Sequence, residues 1–228
     1  MSNWLAKGRP GDHKTWIMDE LIAGYRHFRR HRYEAEADRY RKLGHEGQAP
    51  HTLVIACCDS RTEPAVVFDA GPGDMFVIRN IANLVPPFEP GGEYHSTSAA
   101  IEFAVSNLKV KRVLIMGHAS CGGINAFLKG LIDEKQKTGF IGRWMSLLNP
   151  AVGAVEAIPP EDMAQRQKVM ELASVRLSLD NLMSFPFVEE RVKDGSLKVY
   201  GGYFGIAEGV LYLYDPVREG FFPVADEE

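Results

Sequence analysis

Two short segments concentrate the reactive side chains of this sequence: Cys57-Cys58-Asp59-Ser60-Arg61 and His118-Ala119-Ser120-Cys121. Thiolate sulfur and imidazole nitrogen are preferred zinc donors. A His and a Cys three positions apart in a tight turn can face one ion together, and Cys57 offers a third donor. Structural zinc sites usually close with four protein ligands, whereas catalytic sites keep a position for water or substrate. The chain has three cysteines, so no fourth thiol closes the set, although a His or a carboxylate can. A three-ligand set points to a catalytic ion, one per chain.

Side chains alternate along an extended strand, so Cys57 and Asp59 face one way and Cys58 the other. Arg61 lies within reach of Asp59. A guanidinium beside a carboxylate keeps it ionised and fixes its orientation through paired hydrogen bonds. Each feature has a plainer reading alone. HxxC arises by chance, adjacent cysteines behave as small buried hydrophobes, and Asp59–Arg61 is an ordinary strand-end ion pair. Their conjunction favours metal-assisted catalysis. A redox-sensing domain with Cys57, Cys58 and Cys121 as switch thiols is a competing reading that gives Asp59 and Arg61 no role. A cysteine hydrolase using Cys57 with His118 leaves Cys121 unexplained.

The elements around these segments predict where they lie. His51–Cys57 (HTLVIAC) is a short apolar, β-branched run, which reads as a buried strand. Met75–Arg79 reads as a second strand after the turn Gly71–Asp74, and Arg112–Met116 (RVLIM) as a third, ending at Gly117-His118. Ser96–Leu108 opens with capping residues and continues at helical spacing. Gly122 and Gly123 lead into a helix over Ile124–Lys129. Strands alternating with helices predict a mostly parallel central sheet flanked by helices, an α/β fold. Ligands of such sheets bind at the carboxyl ends of strands, where both reactive segments fall.

Trp16–Leu43 reads as a helical arm, with Ile17, Leu21, Ile22, Tyr25 and Phe28 at three- and four-residue spacing. Such an arm often packs on a partner subunit. Pro160–Leu182 reads as a long helix offering Met163, Val169, Leu172, Val175, Leu179 and Leu182 to the core. Leu197–Phe204 and Val210–Tyr214 read as closing strands with a glycine-rich turn between them. No repeat or linker interrupts the chain, so one domain spans 1–228: arm 1–45, reactive core 50–130, C-terminal helices and closing strands 131–228.

The 228 residues, 45% apolar and 25% charged, can bury a full core without a metal staple. A net charge of −4 argues against a nucleic-acid partner. The basic run Arg26–Arg32 is followed at once by Glu34, Glu36 and Asp38 and reads as a solvated helix face. No stretch approaches the roughly 18 apolar residues that a membrane span needs. An N-terminus without a hydrophobic signal core and an odd cysteine count lead to a cytoplasmic expectation.

The strings IACCDSR and MGHASCGG resemble the two signatures of the beta-class carbonic anhydrases, C-x-D-x-R and H-x-x-C. FVIRNIANLVPP and the helix SAAIEFAV are also similar to that family, and the likeness runs from about Met18 to near the C-terminus. It is nearest the plant-like and bacterial branch with a long helical arm. The resemblance implies a zinc lyase that hydrates carbon dioxide reversibly to bicarbonate and a proton, by attack of zinc-bound hydroxide, as a homodimer or larger homo-oligomer. It puts the zinc ligands at Cys57, His118 and Cys121 and the Asp–Arg dyad at Asp59 and Arg61. Some relatives on this fold hydrolyse carbonyl sulfide or carbon disulfide, an alternative that the metal ligands do not separate.

The same resemblance makes Gln48 a substrate contact from a neighbouring subunit, and Phe76 and Ile81 apolar pocket residues. Phe103 stands where many plant-like members have Tyr, so a hydroxyl is absent there. Cys58 replaces the commoner Ser and is expected in the core or behind the ligands. Gly122 and Gly123 are expected to let backbone N–H groups reach bicarbonate. In some members the Asp swings onto zinc and a bicarbonate pocket forms from a Trp, an Arg and a Tyr. Arg79 fits that Arg, but Val54 and Phe204 occupy the other two positions. An open site without that pocket is therefore expected. Candidate proton shuttles are His13, His27, His31, His45, His51 and His95, with His95 favoured.

Overall fold

The computed structural model describes residues 13–91, 95–130 and 139–225, with side chains from residue 18 onward. The chain divides into two units, residues 1–48 and 49–228. In the first, α1 (His13–Phe28) runs into one π-helical turn at Arg29–Tyr33, and α2 (Ala37–Glu46) follows. The single helix expected over Trp16–Leu43 is thus broken. The wide turn carries Tyr33 onto Tyr40, their rings stacked at 5.1 Å, with Phe28 edge-on to both. Arg29 lies over the Tyr33 ring at 4.1 Å and pairs with Glu34. The side chains of Trp16 and Ile17 lie outside the described residues. Leu21, Ile22 and Tyr25, expected to be apolar packing positions, are exposed, Leu21 at 63%.

In the second unit a six-stranded sheet has the order β2 (Met75–Asn80), β1 (Thr52–Cys57), β3 (Arg112–His118), β4 (Lys198–Gly205), β5 (Val210–Asp215), β6 (Gly220–Pro223). The first four run parallel and the last two antiparallel. β1 is buried from Leu53 to Cys57, as an interior parallel strand with both faces covered must be. Each aliphatic side chain fully buried there contributes about 1.5–3 kcal/mol relative to exposure. β6 was not expected. It pairs with β5 after a turn in which Asp215 Oδ1 accepts from Val217 and Arg218 N–H.

The helices are α3 (Pro64–Val67), α4 (Ser96–Glu102), α5 (Gly122–Leu128), α6 (Phe140–Met145), α7 (Met163–Met183) and α8 (Pro186–Lys193). The helix expected over Ser96–Leu108 turns π-helical at Phe103–Asn107. Leu53, Ile55, Val113 and Ile115 pack on one side with Val175, Leu182 and Phe185. Val54, Ala56 and Met116 pack with Phe68, Leu114 and Phe204. Glycines set how closely α7 approaches. A Cβ at Gly117 would meet Val175 Cγ2 at 2.6 Å, and one at Gly201 would meet Leu179 Cδ1 at 2.9 Å. Gly201 and Gly202 lie within β4, inside the strand expected over Leu197–Phe204, and a larger residue at Gly201 would push the helix away. Among the described residues no helix is long and apolar enough to cross a membrane.

Candidate metal centre

β1 and β3 are neighbours in parallel register, Ala56 against Met116, so their carboxyl ends deliver Cys57 and His118 side by side. The chain then turns through Ser120, which takes a left-handed conformation with φ 57°. This unusual backbone brings Cys121 back beside His118. The two sulfurs and an imidazole nitrogen lie within 4.8 Å of one another, and all three residues are buried.

Several hydrogen bonds aim these donors. His118 Nδ1 lies 2.9 Å from Ala119 O, so an Nδ1–H there donates to that carbonyl and leaves the Nε2 lone pair free. Nε2 is buried and has no hydrogen-bond partner. The nearby backbone N–H groups of Ala82 and Asp59 favour the Cys57 thiolate. Cys121 is the N-cap of α5, without a side-chain capping hydrogen bond, and the nearby backbone N–H groups of Ile124 and Gly123 favour its thiolate. The hydrogen bond from the Cys121 thiol holds Cys57 well below the usual thiol range, against burial, which raises it. The same bond pushes Cys121 up. The pair therefore yields one proton readily and keeps the second until a cation replaces it.

These residues fit a zinc ion. Tetrahedral bonds of about 2.3 Å to sulfur and about 2.0 Å to nitrogen put ligand atoms roughly 3.5–3.8 Å apart, inside the observed spread. A buried imidazole nitrogen without a partner is otherwise costly, and a cation resolves it. Two thiolates with one imidazole are a donor set that zinc prefers.

Asp59 stands beside this trio, Oδ2 4.0 Å from His118 Nε2. Arg61 donates from Nε to Oδ1 at 2.9 Å and from NH2 to Oδ2 at 2.7 Å. The Arg61 guanidinium holds the Asp59 carboxyl well below the usual carboxylate range. Asp59 is therefore ionised and turned toward Arg61. Arg61 NH2 also donates to Ser120 O at 3.1 Å, tying the two loops together.

Arg79, on β2 opposite Ala56, donates to Cys57 O at 2.9 Å and Asp59 O at 2.7 Å and pairs with Glu63. Val54 and Phe204 are packed among apolar side chains. Cys58 is exposed, which corrects the expectation of a core position; it lies beyond the last residue of β1, where no neighbouring layer covers it.

The expected substrate-pocket residues divide. Ile81 is close to the centre: a Cβ on Gly123 would meet its Cγ2 at 2.8 Å, and Trp144 Nε1 donates to Ile81 O at 2.8 Å. A Cβ on Gly122 would meet nothing within 4 Å. Phe76 pairs its ring with Phe103 at 5.8 Å, but it lies four residues before Asn80, roughly 13 Å along the strand at about 3.3 Å per residue. Phe103 is 45% exposed. Gln48 is exposed at the end of the arm unit. Of the histidines, the His27 and His31 rings lie 4.4 Å apart at a tilt of 38°, His95 is exposed before α4, and the His13 side chain lies outside the described residues.

Two features escaped the sequence reading. Trp144 is one. The other is Glu171 on α7, a buried carboxylate whose Oε1 accepts from Cys121 N–H at 2.8 Å. Its only signal in the sequence is a charged residue four positions before Val175 on the helix face that meets the sheet.

Residues 52–211 match a family model described as Carbonic anhydrase. Over 195 residues the chain is 38% identical to Beta carbonic anhydrase 5, chloroplastic, of Arabidopsis thaliana, covering 85% of this chain and 64% of that protein. It is 34% identical to a carbonic anhydrase of Helicobacter pylori, covering 91% of this chain and 95% of the relative. Among solved structures, the beta-carbonic anhydrase CcaA superposes with a TM-score of 0.79 at 28% identity, covering 92% and 93% of the two chains. A structure from work on two tetrameric beta-carbonic anhydrases of Sordaria macrospora gives 0.67 at 30% identity, covering 88% and 95%.

Proposed function

The chain belongs to the beta class of carbonic anhydrases, and on that premise we propose that it catalyses the zinc-dependent, reversible hydration of carbon dioxide to bicarbonate and a proton. The observation that carries this reading is the convergence of Cys57, His118 and Cys121, with a buried imidazole nitrogen that lacks any protein partner. These three residues would hold the ion, and zinc bound there would supply an acidified water, a nucleophile available near neutral pH.

The remaining work falls to the chain. Asp59 accepts a hydrogen bond from the attacking water and so aims its lone pair at the carbon of CO₂. Arg61 keeps Asp59 ionised and prevents it from rotating. Ile81, backed by Gly123 and Trp144, forms an apolar wall beside the ligands, which suits a small apolar substrate. The N–H groups of Ile124 and Gly123 favour the Cys121 thiolate, and Gly122 leaves open space where bicarbonate can form. Because Asp59 is engaged by Arg61 and Arg79 by three protein partners, and because Val54 and Phe204 are apolar, the enzyme keeps an open site without a bicarbonate-binding inactive form.

Gln48, Phe76 and Phe103 serve a neighbouring copy's centre in a homo-oligomer. The distance of Phe76 from the ligands on its own chain and the exposure of Phe103, Leu21 and Tyr25 support that arrangement. Three free cysteines support a reducing, cytoplasmic setting. The test is CO₂ hydration by stopped flow on zinc-loaded and chelated protein. Turnover that is unaffected by chelation to below the protein concentration refutes the assignment.

A further inference from the structure

Glu171 is the one buried carboxylate among the described residues, 2% exposed. Its Oε1 accepts from Cys121 N–H at 2.8 Å and from Gln167 Nε2 at 2.8 Å, and its Oε2 accepts from the Tyr203 hydroxyl at 2.9 Å. Gln167 also donates to Cys121 O at 3.3 Å, while its own Oε1 accepts from Asn125 Nδ2 at 2.5 Å. Both polar groups of the Cys121 main chain are therefore held by α7, one helical turn apart. The helix comes this close because Gly117 presents no Cβ to Val175, the residue one turn beyond Glu171.

Cys121 needs such a hold. It follows Ser120, whose left-handed backbone is unfavourable for a residue with a side chain, and it precedes α5 in an extended conformation, φ −66° and ψ 118°. Its side chain makes no capping hydrogen bond to the helix that would hold it. The direction of the Cα–Cβ bond is then set by the peptide on either side, and those two peptides are the ones that Glu171 and Gln167 grip.

We propose that Glu171 is a positioning residue of the metal centre, clamping the main chain of Cys121 together with Gln167 so that the sulfur is fixed at its ligand position before the ion arrives. This rests on the assignment of Cys121 as a zinc ligand. A carboxylate suits the task because it accepts from three donors at once and donates to none. The clamp faces a cavity of about 400 Å³ lined by Glu171, Gln167, Tyr203, Ser120 and Glu208. Truncating Glu171 thus opens onto solvent-accessible space instead of a sealed void. Water can then satisfy Cys121 N–H but cannot fix it.

Zinc release from the holoenzyme to an excess of chromogenic chelator tests the clamp. Wild-type protein is measured first, and uptake of one zinc per chain that is lost in Cys121→Ser secures the ligand assignment; failure at this step overturns that assignment. Glu171→Ala then releases zinc about 10–100-fold faster, the usual range for groups that orient a metal ligand. Glu171→Gln restores slow release, because its oxygen stays on Cys121 N–H while its amide turns to the Tyr203 hydroxyl. With cobalt in place of zinc, the sulfur-to-metal charge-transfer bands shift in Glu171→Ala and stay in place in Glu171→Gln. Wild-type release and an unchanged cobalt spectrum in folded Glu171→Ala overturn the proposal. Should that variant fail to fold, Gln167→Ala carries the test: faster release supports the clamp, and an unchanged rate overturns it.

Discussion

Arg61 engages both oxygens of Asp59, at 2.9 and 2.7 Å, and the same guanidinium reaches Ser120 O at 3.1 Å. One side chain therefore fixes a carboxylate and ties together the two loops that carry the metal ligands. Lys lacks the planar fork needed for this. Asp59→Ala is expected to lower turnover about 100-fold or more, within the range of positioned acid–base groups, while zinc content stays at one per chain. Arg61→Lys should fall well short of wild type. Stopped-flow hydration with metal analysis checks both, and it separates catalysis from a redox-switch role in which Asp59 is dispensable.

The dyad also makes a pH prediction. Arg61 holds the folded-state pKa of Asp59 below the unfolded value of about 3.9. Ionised Asp59 therefore favours the folded state above roughly pH 4–5, and that contribution is lost as pH falls toward the folded value. Arg61→Ala removes the cause. The gap between the urea midpoints of wild type and Arg61→Ala should be widest near neutral pH and narrow on acidification to about pH 3. A gap independent of pH contradicts the assignment.

Metal binding should stabilise the fold as well as activate it, since the ligand set is complete only in the native state. Chelated protein is expected to melt at lower temperature and to recover its melting point and CO₂ hydration together on addition of one equivalent of zinc. His118→Ala should abolish both recoveries. Calorimetry with and without zinc provides the check.

Both reactive segments were legible in the sequence because each is a contiguous string at the end of an apolar run. The parallel frame was legible too, since β1 and β3 alternate with helical spacing. Less accessible were features set by side chains distant in sequence. The apolar period read as one helix over Trp16–Leu43 steps by five from Phe28 to Tyr33, and there the helix widens and bends with Phe28, Tyr33 and Tyr40 packed ring against ring. A glycine at 201 has no visible reason in the strand pattern until α7 lies against it. Glu171 looks like a surface residue on a charged helix, and only its neighbours 50 and 32 positions away make it part of the centre.

Close packing of α7 supplies a test of the frame. Gly117→Ala places a methyl 2.6 Å from Val175 Cγ2 and should cost about 1–3 kcal/mol, as overpacking does. Adding Val175→Ala should return part of that loss, a coupling between touching residues. Denaturant unfolding of the two single variants and the double variant measures it. Simple additivity contradicts the contact.

Arg79 is expected to hold the carboxyl end of β1. Arg79→Ala leaves Cys57 O, Asp59 O and Glu63 without their donor and should destabilise by roughly 2–4 kcal/mol, given about 1.5–3 for a charge-assisted hydrogen bond. Glu63→Gln should cost less, because both carbonyl bonds survive. Equilibrium unfolding of the two variants compares them.

The order of strands, with β1 next to β3 and β4 beyond, has a meaning in time as well as in space. Arg61 and Ser120 are 59 positions apart, and Cys121 and Glu171 a further 50. A growing chain leaving the ribosome has its first thiol long before the imidazole, and the clamp and Tyr203 later still. Non-local parallel pairing is slow to form, so early capture of an ion by Cys57 alone leads nowhere. The donor set is complete only where β1 and β3 have paired, so a filled site would report a closed sheet.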